Sequence, residues 1–338
     1  MRWRVLPLLA LVGASVFAAD RLRLVREEAP TSLVRAVFAQ GRTWLLDDDG
    51  RLSSVAPGER SRRIETLPEP VHALCVSEGS PLIVTGPRDS PQRLSVRRLH
   101  GAEWPIESMV RLDHEALVAL ACAPDSATLV MTTHLFDVAS RPGVRKLREP
   151  FDRVGGPGGV VSAAHATRDA VFIGVNRGEW GGGLYRIDRG TGQVAQVSKA
   201  GSEPVNAIVD DPWKPGCLVV AVGLMHFMPD GRLLEVCGDA VETLYTAKVP
   251  IERAASGTFL ADEAFFGLVV DQGGVLAVAD SGLYRIDASR HASVVALPAF
   301  HDVDGVRVNF DLPGQVLVLT SANQRHSISG MTPMLVPR

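Results

Sequence analysis

The hexapeptide Gly-Leu-Tyr-Arg-Ile-Asp occurs twice, at Gly183–Asp188 and Gly282–Asp287, and each copy follows an apolar run, VFIGV before the first and VLAVAD before the second. An apolar run, a turn and an alternating strand read as a hairpin. The chain therefore repeats a hairpin. Looser versions recur at TWLLDDDGRLSSV, PLIVTG with QRLSVRRL, TLVMTTHLFDV, CLVVAVG with GRLLEV, and QVLVLTSANQRHSIS. Their apolar starts at Trp44, Leu82, Leu129, Val171, Leu218, Leu276 and Val316 give spacings of 38, 47, 42, 47, 58 and 40 residues. Another short apolar strand precedes each hairpin: LVRAVF, VHALCV, LVALAC, GVVSAA, VNAIV, FGLVV and VRVNF.

Three or four antiparallel strands every forty or so residues cannot bury both faces alone, so the units must stack on one another. Radial closure leaves only short, protected edges. The expectation is an all-β fold, a β-propeller of seven blades, with six allowed if the poorly matched first or last unit is something else. Residues 20–338 form one domain in this reading. The longest spacing contains an insertion at about 247–264, AKVPIERAASGTFLADEA, which could hold a short helix or a lid over one face. The segment RLRLVRE could complete the outer edge of the last blade.

The first residues, MRWR followed by VLPLLALVGASVFAAD, have the basic, apolar and small-residue order of a secretory signal peptide, here residues 1–19. The apolar run falls short of the roughly 20 residues that span a bilayer. The mature chain is then expected to be periplasmic or secreted, without stable membrane insertion. A net charge of −3 supplies no basic field for phosphates. Nucleic acid is not an expected partner. In an oxidising compartment Cys217 and Cys237 are expected to form a disulfide, because they flank one hairpin symmetrically about Phe227. Aligning Leu82 with Leu129 superimposes Cys75 on Cys122. Equivalent positions in neighbouring repeats are expected to be held apart, which makes these two buried thiols.

The stretches VLAVADSGLYRID and GGGLYRIDRGTG resemble the blade repeats of exported bacterial β-propellers, including those of two-component sensor ectodomains and related ligand-binding modules. The resemblance implies a fold rather than a reaction, since propellers serve as binding scaffolds, lyases, glycosidases and dehydrogenases alike.

One hairpin stands out. Between its strands the fourth repeat carries five more residues than the sixth, which sets Asn176, Arg177, Glu179 and Trp180 at a tip ahead of three glycines. Exposing a tryptophan is costly, so Trp180 either packs on the neighbouring blade or binds something. Equivalent tips supply Asp47–Asp49, Arg88 and Asp89, Thr133 and His134, Met225 and His226, Asp280, and Asn323 and His326. The candidate ligand-binding set is Asn176, Arg177, Glu179, Trp180, His134, His226 and Asp280. No H-x-H, HExxH or CxxC spacing suggests a metal site, and Asp47-Asp48-Asp49-Gly50 lacks the distal acid of a calcium loop. No cofactor is implied. No G-x-S-x-G elbow or comparable enzyme signature is legible. The chain thus reads as a non-catalytic propeller binding a small molecule, a glycan or a protein on one face. The alternative is a lyase or glycoside hydrolase pairing Glu179 with His226 or His165. Export predicts a mature N-terminus close to Asp20. N-terminal sequencing of protein recovered outside the cytoplasm checks this, and intact Met1 alone would contradict it.

Overall fold

The computed structural model describes residues 33–59, 61–88, 93–112, 114–138, 143–151, 160–197, 200–226, 228–253, 257–279, 281–296, 306–309, 315–321 and 331–337. Residues 1–19, read above as a signal peptide, and RLRLVRE lie outside the described residues. Six antiparallel four-stranded sheets follow one another as blades 1 to 6, over residues 33–64, 71–111, 117–146, 160–196, 205–245 and 265–296. Within each the strands pair in chain order, and the first strand of each blade touches the first strand of the next. The seventh repeat corrects the expectation of seven full blades: its described residues form a three-stranded sheet, 306–309, 315–321 and 331–337. Strand 306–309 lies against the first strands of blades 6 and 1 and closes the ring. The arrangement is a β-propeller with six complete blades.

Each blade is apolar on both faces because each is sandwiched. In blade 2, Leu74 and Ile83 pack toward blade 1 while Cys75 and Leu82 pack toward blade 3. Second strands are consequently buried on both faces, with Leu82, Ile83 and Val84 at 0% exposure, and their sequences read as continuous apolar runs rather than alternations. The hexapeptide is the third strand of blades 4 and 6. Leu184 faces blade 5, whereas Tyr185 and Ile187 face blade 3, where Tyr185 meets Phe151 edge-on at 5.6 Å. Tyr284 meets Phe265, in the first strand of its own blade, edge-on at 5.4 Å.

All six blades carry a register break near the start of the inner strand, at its second residue in five (Val34, His72, Val118, Asn206 and Phe266) and at its third, Ser162, in blade 4. A bulge of this kind bends a strand and re-aims a side chain. Three of the bulged residues are polar, and they use the re-aimed side chain as a stitch. His72 Nε2 contacts Gly86 O at 3.0 Å. Ser162 Oγ donates to Gly174 O in its own blade and to Val205 O in the next. Asn206 Nδ2 likewise donates to Gly223 O at 2.9 Å and to Phe265 O, in blade 6, at 2.8 Å.

The insertion Ala247–Ala264 holds a hairpin, Lys248–Arg253 paired with Gly257–Asp262, and not a helix. Cys217 and Cys237 form a disulfide across the blade 5 hairpin, Cα atoms 4.4 Å apart. Cys75 and Cys122 are also bonded, with Cα atoms 6.3 Å apart, and are not thiols. The reason is register. Ser77 pairs with Ser80 and Ala123 with Ser126, so the residue equivalent to Cys75 is Ala121, and Cys122 is one position further on. A shift of one residue turns a side chain to the opposite face. Cys75 points toward blade 3 and Cys122 back toward blade 2, so they meet. Peptide mapping without reductant should recover both bridges. Replacing Cys75 and Cys122 together by serine should lower the urea midpoint by the equivalent of about 2–4 kcal/mol.

Candidate functional site

In an up-and-down blade, the links between second and third strands share one face with the links from blade to blade; it is called the upper face below. His134 follows the link of blade 3, and Asn176, Arg177, Glu179 and Trp180 belong to that of blade 4. His226 ends the second strand of blade 5, but its side chain lies outside the described residues, as does Asp280 in blade 6. The predicted site residues that are described with their side chains, His134, Asn176, Arg177, Glu179 and Trp180, therefore sit at upper-face links. Two further tips touch directly: Arg88 Nη2 donates to Asp49 Oδ1 at 2.7 Å. That bond, more than any other effect, holds the Asp49 carboxyl below the usual carboxylate range. Asp89, Asn323 and His326 lie outside the described residues.

The Asn176–Gly182 loop is braced at both ends. Asn176 Oδ1 accepts the Gly178 N–H at 2.7 Å, and its Nδ2 donates to Asn206 Oδ1 at 2.8 Å, joining the loop to the inter-blade stitch. Gly178–Trp180 forms one 3-10 turn. The glycines after it are required by close approach. At Gly181, with φ +83°, a Cβ would lie 2.4 Å from Ser202 O, and Gly182 N donates to that same carbonyl at 2.7 Å. Trp180 at the end of the turn is 85% exposed. It is not wedged between blades.

Blade 5 raises the ground beside it. Strand Leu218–His226 touches the 3-10 turn, and strand Gly257–Asp262 of the inserted hairpin packs against Met228–Cys237. Loop, long hairpin and insertion form one ridge on the upper face. Leu260, 67% exposed, lies on it.

A repeated feature of this face went unread in the sequence. Four blades place a glutamate two residues before the inner strand: Glu69-Pro70-Val71, Glu115-Ala116-Leu117, Glu203-Pro204-Val205 and Glu263-Ala264-Phe265. Each reaches across the sheet to residues in or next to the third strand. Glu69 meets Arg93 at 3.4 Å, Glu203 meets Arg232 at 2.7 Å, Glu115 meets His134, and Glu263 meets Ser281 and Tyr284. Burial pushes the Glu203 carboxyl up, against the attraction of Arg232. The signal was available as a glutamate, then proline or alanine, then the apolar run, at four of seven repeats. His134 is thus held by the Glu115 carboxylate and by Thr133 Oγ1, 2.9 Å from its Nδ1.

The lower face carries a cavity of about 1060 Å³ along blades 3 and 4 to the edge of blade 5, lined by Asp125, Asp137, Arg168, Asp188, Arg189 and Asp210 among others. None of the predicted residues lines it. Arg189 is fixed there by Asp137 at 2.6 Å and by Thr167 O at 2.9 Å. His165, near the lower end of its strand, pairs with Asp210 at 3.0 Å. Pairing Glu179 with His165 is therefore corrected: His165 pairs with Phe172, four rungs of strand below Asn176. Among the described residues no cluster of three or more His, Cys, Asp or Glu could hold a metal ion. No helix among them is long and apolar enough to cross a membrane.

No known protein family and no curated protein matches this chain. Solved structures do match it in fold. YCF48 from Cyanidioschyzon merolae is 13% identical with a TM-score of 0.53, over 86% of this chain and 92% of that one. YCF48 bound to D1 peptide is 14% identical with a TM-score of 0.51, over 91% and 95%. The extracellular domain of a B. thetaiotaomicron protein described as a one component system is 14% identical with a TM-score of 0.49. That match covers 90% of this chain, which spans 38% of the other's length.

The Asp210 carboxyl is held below the usual range, first by its hydrogen bond from His165 and then by the histidine's charge, against desolvation. A depressed carboxylate stabilises the fold above its unfolded value, about 3.9, and that contribution is lost as pH falls through the folded value. Asp210→Asn should therefore lower the urea midpoint at pH 6 by the equivalent of about 0.2–1 kcal/mol, the range for an exposed pair. The gap from wild type should close as the pH falls through the folded value of Asp210, where its carboxyl becomes neutral like the amide that replaces it.

Proposed function

We propose that this chain is an exported, periplasmic or secreted β-propeller that binds a small molecule, a glycan or a protein segment on its upper face, with the Asn176–Trp180 loop as one wall of the site. One observation carries the reading: an indole 85% exposed on a loop that hydrogen bonds hold to its own blade and the next. An exposed tryptophan adds nothing to the core and leaves a large apolar surface in water. Its natural compensation is a ligand. Rigidity fits the same reading, because a side chain presented by a fixed turn loses little freedom on binding.

The surroundings suit recognition of a partly polar ligand. Arg177 and Glu179 precede the ring in sequence, Asn176 anchors the base, and the inserted hairpin adds Leu260 to the ridge. YCF48, similar in fold over most of both chains, has been solved with a peptide bound. Two disulfides agree with an oxidising compartment outside the cytoplasm.

A thermal-shift screen of oligosaccharides, quinones and peptides tests the reading. A ligand held at a hundred times its Kd should stabilise the fold by about 2.7 kcal/mol. Trp180→Ala should abolish most of that gain while leaving the unliganded urea midpoint within the equivalent of about 0.5 kcal/mol, as for other surface substitutions. A loss of about 3–5 kcal/mol, as for emptying a packed aromatic site, would make the loop structural and remove the basis of the proposal.

A further inference from the structure

At the upper end of blade 6 the repeated glutamate meets hydroxyls, where its counterparts meet Arg93, His134 and Arg232. Ser281 Oγ lies 2.5 Å from Glu263 Oε2 and 2.8 Å from Tyr284 Oη, and Tyr284 Oη lies 3.4 Å from the same carboxylate oxygen. Ser281 N donates to the other oxygen, Oε1, at 3.4 Å. Accessibility is divided among the three. Glu263 is 1% exposed and Tyr284 5%, while Ser281 itself is exposed at the start of the third strand.

We propose that Ser281 is a nucleophile, with Glu263 as its base and Tyr284 as a hydrogen-bond donor, and that the trio transfers the acyl group of a small activated ester to water. This goes beyond the binding reading and does not depend on Trp180. The proton acceptor already touches the hydroxyl, as a nucleophile–base pair requires. Burial, and to a lesser degree the charge of Glu263, pushes the Tyr284 phenol up against the effect of its bond to Ser281. The phenol thus stays protonated at neutral pH and remains a donor.

The chemistry balances within the trio and water. Ser281 Oγ attacks the ester carbonyl carbon as its proton moves to Glu263. The Oγ–carbon bond forms, the ester carbon–oxygen bond breaks, and the alcohol leaves with the proton from Glu263. Water then attacks the acyl-serine, giving one proton to Glu263, which returns it to Oγ as the carboxylic acid departs. A small acyl group is indicated because Tyr284 and the start of strand Gly282–Ile286 are buried immediately behind Oγ.

The test uses the full-length mature protein with p-nitrophenyl acetate and, separately, a fluorophosphonate. Wild type should release p-nitrophenolate and carry a single adduct, located by peptide mass spectrometry on Ser281. Ser281→Ala, at an exposed position, should fold normally and lose both signals. Glu263→Gln should label about a hundredfold more slowly, the usual contribution of a positioned base. Tyr284→Phe should slow labelling with an unchanged urea midpoint. An adduct elsewhere, no adduct, or equal ester cleavage by Ser281→Ala would overturn the proposal, whatever the fate of Trp180→Ala in ligand binding.

Discussion

Each blade of this propeller is a sheet with two apolar faces, and nothing in the chain except another blade can cover them. That constraint governs the rest. A four-stranded sheet with one face in water would expose residues such as Leu82, Val84, Leu129 and Met131, all at 0% in the assembled ring. Burying one side chain of this size is worth about 1.5–3 kcal/mol. Every interface between blades repeats that gain. Closure by strand 306–309, which touches the first strands of blades 6 and 1, brings the terminal blades to a common neighbour.

Once faces must meet, register becomes the next requirement, because one residue of slip turns each side chain to the wrong neighbour. The bulges near the start of all six inner strands sit where register is set, beside the link from the preceding blade. Ser162 and Asn206 use the bulge to bind a carbonyl of their own blade and one of the next. Glutamates before four inner strands fasten the same end of the blade to its third strand. The upper face is therefore cross-linked by side chains both within and between the described blades. A loop added there rests on fixed backbone, as the bonds from Asn176 to Asn206 and from Gly182 to Ser202 show.

The same architecture separates the two faces chemically. The upper face carries the ridge formed by Gly178–Trp180, the long blade 5 hairpin and the inserted hairpin, with exposed apolar side chains and partly buried acids. The lower face carries a cavity whose Asp137, Asp210 and Asp188 carboxylates are engaged by Arg189, His165 and a local turn. A ligand that needs an apolar platform is served by the first. The hydroxyl trio of blade 6 also opens on it, so binding and acyl transfer would occupy one face.

The sequence alone determined the repeat, the all-β class, the strand order within each blade and the disulfide across the Cys217–Cys237 hairpin, because all of these rest on local periodicity and short spacing. It also placed the Asn176–Trp180 insertion at a tip, since the sixth repeat closes without it. Only the tertiary structure decided which side chains face which neighbour. An ungapped alignment on Leu82 and Leu129 is off by one rung, and that one rung separates two isolated thiols from the Cys75–Cys122 bridge between blades. The indole of Trp180 could have been buried or free on sequence grounds, and the backbone of Ser202, twenty-two residues on, fixed the loop and left the ring in water. The pairing of each glutamate with a residue some eighteen to twenty-nine positions later follows from folding a sheet back on itself. Distances of that kind are set by three-dimensional closure, and a linear pattern shows only that the glutamate recurs.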